Sequence, residues 1–192
     1  MQVWTREMEK RCQDRVQTVL CNPMLYKVMQ RFGAGVFRRS SIFHGLDEFL
    51  SANNVRGKVC FEIGSWNGMT AVVLSRYFER VISVDIVDND LKREIVDHLK
   101  IDSIRFLHVK DNADKAKIAG HYKFDFAYLD GDHAADTQTD WDLVKDCGRV
   151  LFHEAWRIQP PVWQLVQSLP QEQVTMNGDG LALWVDPAAV PI

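Results

Sequence analysis

The sequence predicts an α/β fold: a doubly wound, mostly parallel sheet of seven strands with an antiparallel C-terminal hairpin, preceded by short helices. Three observations predict it. From Lys58 onward, short runs rich in β-branched and aromatic residues alternate with helical stretches, the texture of a parallel sheet with helices on both faces. The last two runs are separated only by Asn177-Gly178-Asp179-Gly180, so the final strand returns antiparallel. The chain of 192 residues has the length of one domain and enough residues to bury a core.

Taken in order, residues 2–20 place Val3, Trp4, Met8, Cys12, Val16, Val19 and Leu20 near helical spacing. Asn22-Pro23 interrupts this stripe, and Pro23 suits the first turn of a second helix to about residue 31, ended by Gly33 and Gly35. Residues 46–50 read as a further short helix. Strands are expected at 58–63, 80–86, 104–109, 124–130, 149–154, 173–176 and 181–185. Helices are expected between them at 69–78, 90–100, 112–120, 133–146 and 161–168. Charge divides the chain: residues 1–57 carry nine Lys/Arg against five Asp/Glu, whereas 58–192 carry 14 against 21. The polar stretch 51–58 marks the change, giving an N-terminal helical segment over 1–54 and a main domain over 55–192.

Composition excludes several classes. A net charge of −3 does not suit a chain-wide nucleic-acid binder. The longest apolar run, 181–185, falls far short of the ~20 residues of a membrane span. The first residues lack the apolar core of a signal peptide, which points to the cytoplasm. Cys12, Cys21, Cys60 and Cys147 lie far apart and read as reduced thiols, with Cys60 directed into the sheet.

In a sheet of this kind ligands bind at the C-terminal strand ends. After the first strand stands Glu62-Ile63-Gly64-Ser65-Trp66-Asn67-Gly68, a loop entering a helix. Free N–H groups there favour an anion, while Glu62 would repel a pyrophosphate. An acid beside an anion-binding tip suits a zwitterion such as an amino acid. After the second strand Asp85 can accept from both hydroxyls of a ribose, and after the third Asp111 can accept from an adenine amino group. Gly64 and Gly68 stand where the backbone must turn tightly or approach a ligand.

These residues resemble the class I S-adenosylmethionine-dependent methyltransferases, whose Rossmann-like fold carries its first two motifs where this chain has E-I-G-S-W-N-G and V-I-S-V-D. The stretch F-D-F-A-Y-L-D-G-D-H (124–133) with V-L-F-H-E (150–154) is similar to the branch of small sugar and macrolide O-methyltransferases. The resemblance covers about residues 55–186. It implies that Glu62, Gly64, Ser65, Trp66 and Gly68 hold the methionine part, Asp85 the ribose, and Asp111 with Asn112 the adenine. It implies that Asp130 lies beside the sulfonium and amino group. It further implies Mg²⁺ on Asp130, Asp132 and Glu154, with Asp130, Asp132 and His133 as the catalytic set. Glu154 replaces the family's usual aspartate, and Cys147-Gly148-Arg149 replaces Pro-Gly-Gly. The implied partner is a small-molecule hydroxyl acceptor, with the N-terminal segment as a substrate cap.

Simpler roles stand beside these. Asp132 would serve equally as the N-cap of a helix from His133, and His153 as a satisfied strand-end histidine. Asp136, Asp140, Asp142 and Asp146 read as a solvated helix face, and Trp4, Trp141, Trp156, Trp163 and Trp184 as packing residues. One rival function is a methyltransferase-like binding module without catalysis. Another is nucleic-acid methylation, against which the absence of an N/D-P-P-Y motif after the fourth strand counts. Whether the chain pairs with itself as a homo-oligomer stays open.

Overall fold

The computed structural model describes residues 22–37, 41–132, 136–156 and 159–189. The expected helix over 2–20, with Trp4 and Cys12, lies outside them. Among the described residues no helix is long and apolar enough to cross a membrane.

Among the described residues two helices precede the sheet: α1 (Pro23–Phe32) and α2 (Leu46–Ala52), with short 3₁₀ turns at Ala34–Phe37 and Ser41–His44 between them. The side chain of Asn22 caps α1 by accepting from the amides of Met24 and Leu25, and Pro23 opens the helix as its spacing suggested. The rest alternates: β1 (Gly57–Ile63), α3 (Met69–Leu74), β2 (Phe78–Asp85), α4 (Asp90–Leu99), β3 (Ile104–His108), α5 (Asn112–Ala119), β4 (Phe126–Leu129), α6 (Thr137–Val144), β5 (Arg149–Phe152), α7 (Pro160–Ser168), β6 (Val174–Met176) and β7 (Ala182–Val185). The seven strands form one sheet in the order β3-β2-β1-β4-β5-β7-β6. The first five run parallel, and β7 is antiparallel to both β5 and β6. The chain reverses its direction of winding between β1 and β4, and a crevice opens there.

Strand parity splits the core into two layers. Cys60, Val81, Phe126, Tyr128, Leu151 and Leu183 face α3, α4 and the N-terminal helices. Phe61, Ile63, Val84, Ala127, Phe152 and Trp184 face α6 and α7. Cys60 thus points into the core as expected. Leu25, Val28, Leu46 and Leu50 belong to the first layer, so the described part of the N-terminal segment shares the sheet's own core.

One helix is shorter than its sequence suggested. A helix was expected over 69–78, yet α3 ends at Leu74. The Tyr77 hydroxyl reaches Asp47 of α2, and Arg76 pairs with the same carboxylate at 2.5 Å. That anchorage turns the chain out of the helix so that Phe78 can start β2. With six residues, α3 offers a far weaker dipole than the expected helix.

Candidate functional site

A cleft of about 850 Å³ opens at the C-terminal ends of β1, β2, β4 and β5. Gly64, Ser65 and Trp66 form part of its wall, with Asp85, Ile86 and Val87 beside them and Asp130, Asp132, Asp136, His153, Glu154 and His44 across from them. Its floor is set by one close approach. Gly64 has φ +95°, and a Cβ there would come within 2.1 Å of the Asp130 carbonyl oxygen. Only glycine lets β1 and β4 end this close together.

On the β1–β2 side, Asp85 organises the loops. It accepts from the Trp66 amide at 2.6 Å and the Val87 amide at 2.8 Å, and Ser65 Oγ stands 3.4 Å away. A carboxylate has about four acceptor sites, so capacity remains for ribose hydroxyls. Trp66 adopts φ +43° and is 51% exposed at the rim; with Ile86 and Val87 it forms an exposed apolar edge. This separates it from Trp141 and Trp184, which pack edge-to-face in the core as expected.

Glu62 lies beneath the floor and does not line the cleft. It is fully buried, accepts a hydrogen bond from Ser83 Oγ, and leaves Oε1 with no hydrogen-bond partner among the described residues. Burial pushes its carboxyl up to about 8, against the Ser83 hydrogen bond and with the charges of Asp130 and Asp85 acting in the same upward direction. An orphaned buried oxygen of this kind fits a site that receives a cationic group above it.

On the β4–β5 side, His153 is 3% exposed and its Nδ1 bonds Asp130 Oδ1. The ring of His44 stands edge-on to His153 with centroids 4.5 Å apart. His44 Nδ1 lies 2.6 Å from the Asp179 carbonyl, which can only accept. The proton is therefore on Nδ1, and Nε2 carries a lone pair. Burial, followed by the charge of His153, lowers the His44 pKa, which keeps the ring neutral. Asn177 donates to the His44 carbonyl at 2.9 Å, so the β6–β7 turn clasps the N-terminal segment.

Several expected roles land elsewhere. Asp111 does not line the cleft; its side chain caps α5 by accepting from the Asp114 amide at 2.9 Å. Asn112 donates to Asp136 at 2.9 Å, and it is Asp136 that reaches the cleft. Gly68 also stays outside the lining: its φ of +79° is needed for the turn into α3, and a Cβ would press on Lys92 Cβ and Phe106. Asp140 is not solvated. It is buried with Lys115 in an ion pair of 2.5 Å, where burial raises its pKa more than the lysine lowers it. Asp132 is exposed at the cleft rim and is not the N-cap of α6, a position held by Asp136. His133 lies outside the described residues.

The Mg²⁺ expectation does not find its ligands here. Asp130 is engaged with His153, and Glu154 sits on a φ of +54°. Among the described residues no group of three His, Cys, Asp or Glu side chains converges as a metal would require. Sequence reasoning missed His44, Lys92 and the Lys115–Asp140 pair, because each takes its role from a partner on another element.

No family model matches this sequence, and no curated protein matches it. Solved structures do. One is an O-methyltransferase from Bacillus cereus in complex with S-adenosylhomocysteine, at TM-score 0.66 and 15% identity, covering 93% of this chain and 100% of the other. Another is the O-methyltransferase TomG of Streptomyces achromogenes, involved in tomaymycin synthesis and in complex with S-adenosylmethionine. It gives TM-score 0.67 and 14% identity over 95% of this chain and all of the other. The fold is that of the class I S-adenosylmethionine-dependent methyltransferases. The N-methyltransferase NodS of Bradyrhizobium japonicum shares it at TM-score 0.55 and 16% identity, over 92% of this chain and 98% of the other. Neighbours named as O- and N-methyltransferases thus share one scaffold, so the scaffold by itself names no acceptor.

Proposed function

We propose that the protein binds S-adenosylmethionine in this cleft and transfers its methyl group to a hydroxyl of a small molecule. The observation that carries the reading is the cleft: it lies at the strand ends, between a glycine that no larger residue can replace and the carboxylate of Asp85. Its 850 Å³ lies near the upper end of ligand pockets, which run to ~1,000 Å³, so a cofactor and a small acceptor fit together.

When bound, the cofactor supplies an already activated methyl group on a sulfonium. The chain's own part is then to bind, align and remove a proton. Asp85 takes the ribose hydroxyls, and Ser65, Trp66 and the Gly64 backbone enclose the methionine end above the buried Glu62. Asp130, oriented by His153, stands beside the reacting centre. The acceptor hydroxyl's proton leaves on the β4–β5 side, where Asp132 and His133 follow Asp130 in sequence and His44 Nε2 offers a lone pair. This route needs no metal.

Charge supports a small acceptor over nucleic acid. Among the described residues Asp85, Asp130, Asp132, Asp136 and Glu154 line the cleft against one lysine, Lys115, which Asp140 already neutralises. Such a wall repels a phosphate backbone. The test is S-adenosylhomocysteine release from S-adenosylmethionine across panels of sugars, phenols, amines and RNA, with and without EDTA. Turnover on a hydroxyl compound, indifferent to EDTA, is the expected result. Turnover on RNA or on amines alone overturns the hydroxyl reading.

A further inference from the structure

A buried ammonium sits behind the cofactor half of the cleft. Lys92, the third residue of α4, is 1% exposed and does not line the cleft. Its stem occupies the space above Gly68, where a Cβ would come within 2.8 Å of Lys92 Cβ. Its Nζ lies 5.5 Å from the centroid of the Phe106 ring, within range of a cation–π contact. Nζ donates to Ser65 Oγ at 3.0 Å and to the Val87 carbonyl at 2.9 Å. These acceptors belong to the β1–α3 and β2–α4 loops, the two walls that flank Asp85.

The direction of these bonds matters. Because Ser65 Oγ accepts from the ammonium, its own proton is left to point onward, and Asp85 Oδ2 stands 3.4 Å away. The Val87 residue that Lys92 holds by its carbonyl gives its amide to Asp85 Oδ1. Lys92 therefore steadies a donor for each carboxylate oxygen without touching the cleft. An apolar side chain of similar length would fill the same space without the cost of burying a charge. Burial does lower the Lys92 pKa, while the carboxylates of Asp85 and Asp88 counter it.

We propose that Lys92 is a positioning residue: through Ser65 and Val87 it holds the Asp85 carboxylate in the orientation that receives a ribose diol. The inference rests on the cofactor reading above and extends it to a residue outside the cleft. Preorganised acceptors lose little freedom on binding, so the effect appears as selectivity for the ribose hydroxyls.

The experiment is calorimetry of S-adenosylhomocysteine and its 2′-deoxy analogue on the full chain and on Lys92→Met. The unaltered protein is expected to bind the parent compound at least tenfold more tightly than the deoxy analogue. Lys92→Met is expected to weaken the parent compound about tenfold and to shrink that discrimination to threefold or less. Equal weakening of both ligands, or no weakening, overturns the proposal and leaves Lys92 a packing residue. No binding by the folded, unaltered chain removes the cofactor reading itself, and the Lys92 role with it. Should Lys92→Met fail to fold, Ser65→Ala decides: it breaks the same relay, and undiminished discrimination there overturns the proposal.

Discussion

On the β1–β2 side of the cleft, polar groups find partners close along the chain: Trp66 and Ser65 reach Asp85 across 19 and 20 residues, and Lys92 reaches Ser65 across 27. On the β4–β5 side two joints span more than a hundred: His44 to Asp179 across 135 residues, and Asn177 to His44 across 133. The first wall is a property of one βαβ unit. The second needs the N-terminal segment, the fifth strand and the closing hairpin to be in place together. A motif can encode the first wall, whereas only the assembled fold makes the second. On the proposed function, cofactor binding would belong to the local wall and acceptor choice to the assembled one.

The largest expected effect strikes the seam where both walls meet. Gly64→Ala drives a Cβ into the Asp130 carbonyl and forces a positive φ on alanine, so a loss of about 3 kcal/mol or more is expected in urea unfolding. Unchanged stability would mean that β1 and β4 do not close on this glycine.

Next comes the ion pair behind the β4 end. Lys115→Met strands a buried carboxylate and is expected to cost about 3 kcal/mol, whereas Lys115→Met with Asp140→Leu recovers most of it. Equal losses in the single and double variants, read by the same unfolding midpoint, would place Asp140 back in solvent.

A pH effect follows from Glu62. Its carboxyl ordinarily titrates near 4.5 and is held at about 8 in the fold. Between those values the native state keeps a proton that the unfolded chain has released, so stability falls as pH rises through this window and levels off above it. Glu62→Gln removes that part of the slope. Between pH 6.5 and pH 8.5 the unaltered protein is expected to lose about 2 kcal/mol more than the variant. Parallel pH profiles would contradict a protonated Glu62.

The smallest effect separates the walls. His44→Asn is expected to leave S-adenosylhomocysteine affinity within about threefold, since its contacts lie on the β4–β5 side. A loss comparable to that of a β1–β2 residue would merge the two halves into one site.

The same contrast governs how much the sequence told. All seven strands, their alternation with helices and the closing hairpin were legible, because periodicity is local. The strand-end positions of Gly64 and Asp85 were legible for the same reason: a strand end followed by a turn announces itself. Asp111 and Asp140 misled because an acid's role depends on what faces it. One caps a helix and the other is buried against a lysine 25 residues away. The end of α3 at Leu74 was hidden because Asp47, which anchors Arg76 and Tyr77, lies in another helix. His44 stood in a segment that matched no motif, and its placement depends on a turn at the far end of the chain.

Asp85 and the Gly64 floor are proposed to form the cofactor half of a methyltransferase cleft. Calorimetric titration with S-adenosylhomocysteine, on the unaltered chain and on a folded Asp85→Ala variant, tests this most directly. Binding at one site per chain is expected, weakened in the variant by about 1.5–3 kcal/mol, or roughly ten- to more than a hundredfold. A folded protein that gives no binding heat at several temperatures, or an Asp85→Ala variant with undiminished affinity, would contradict it.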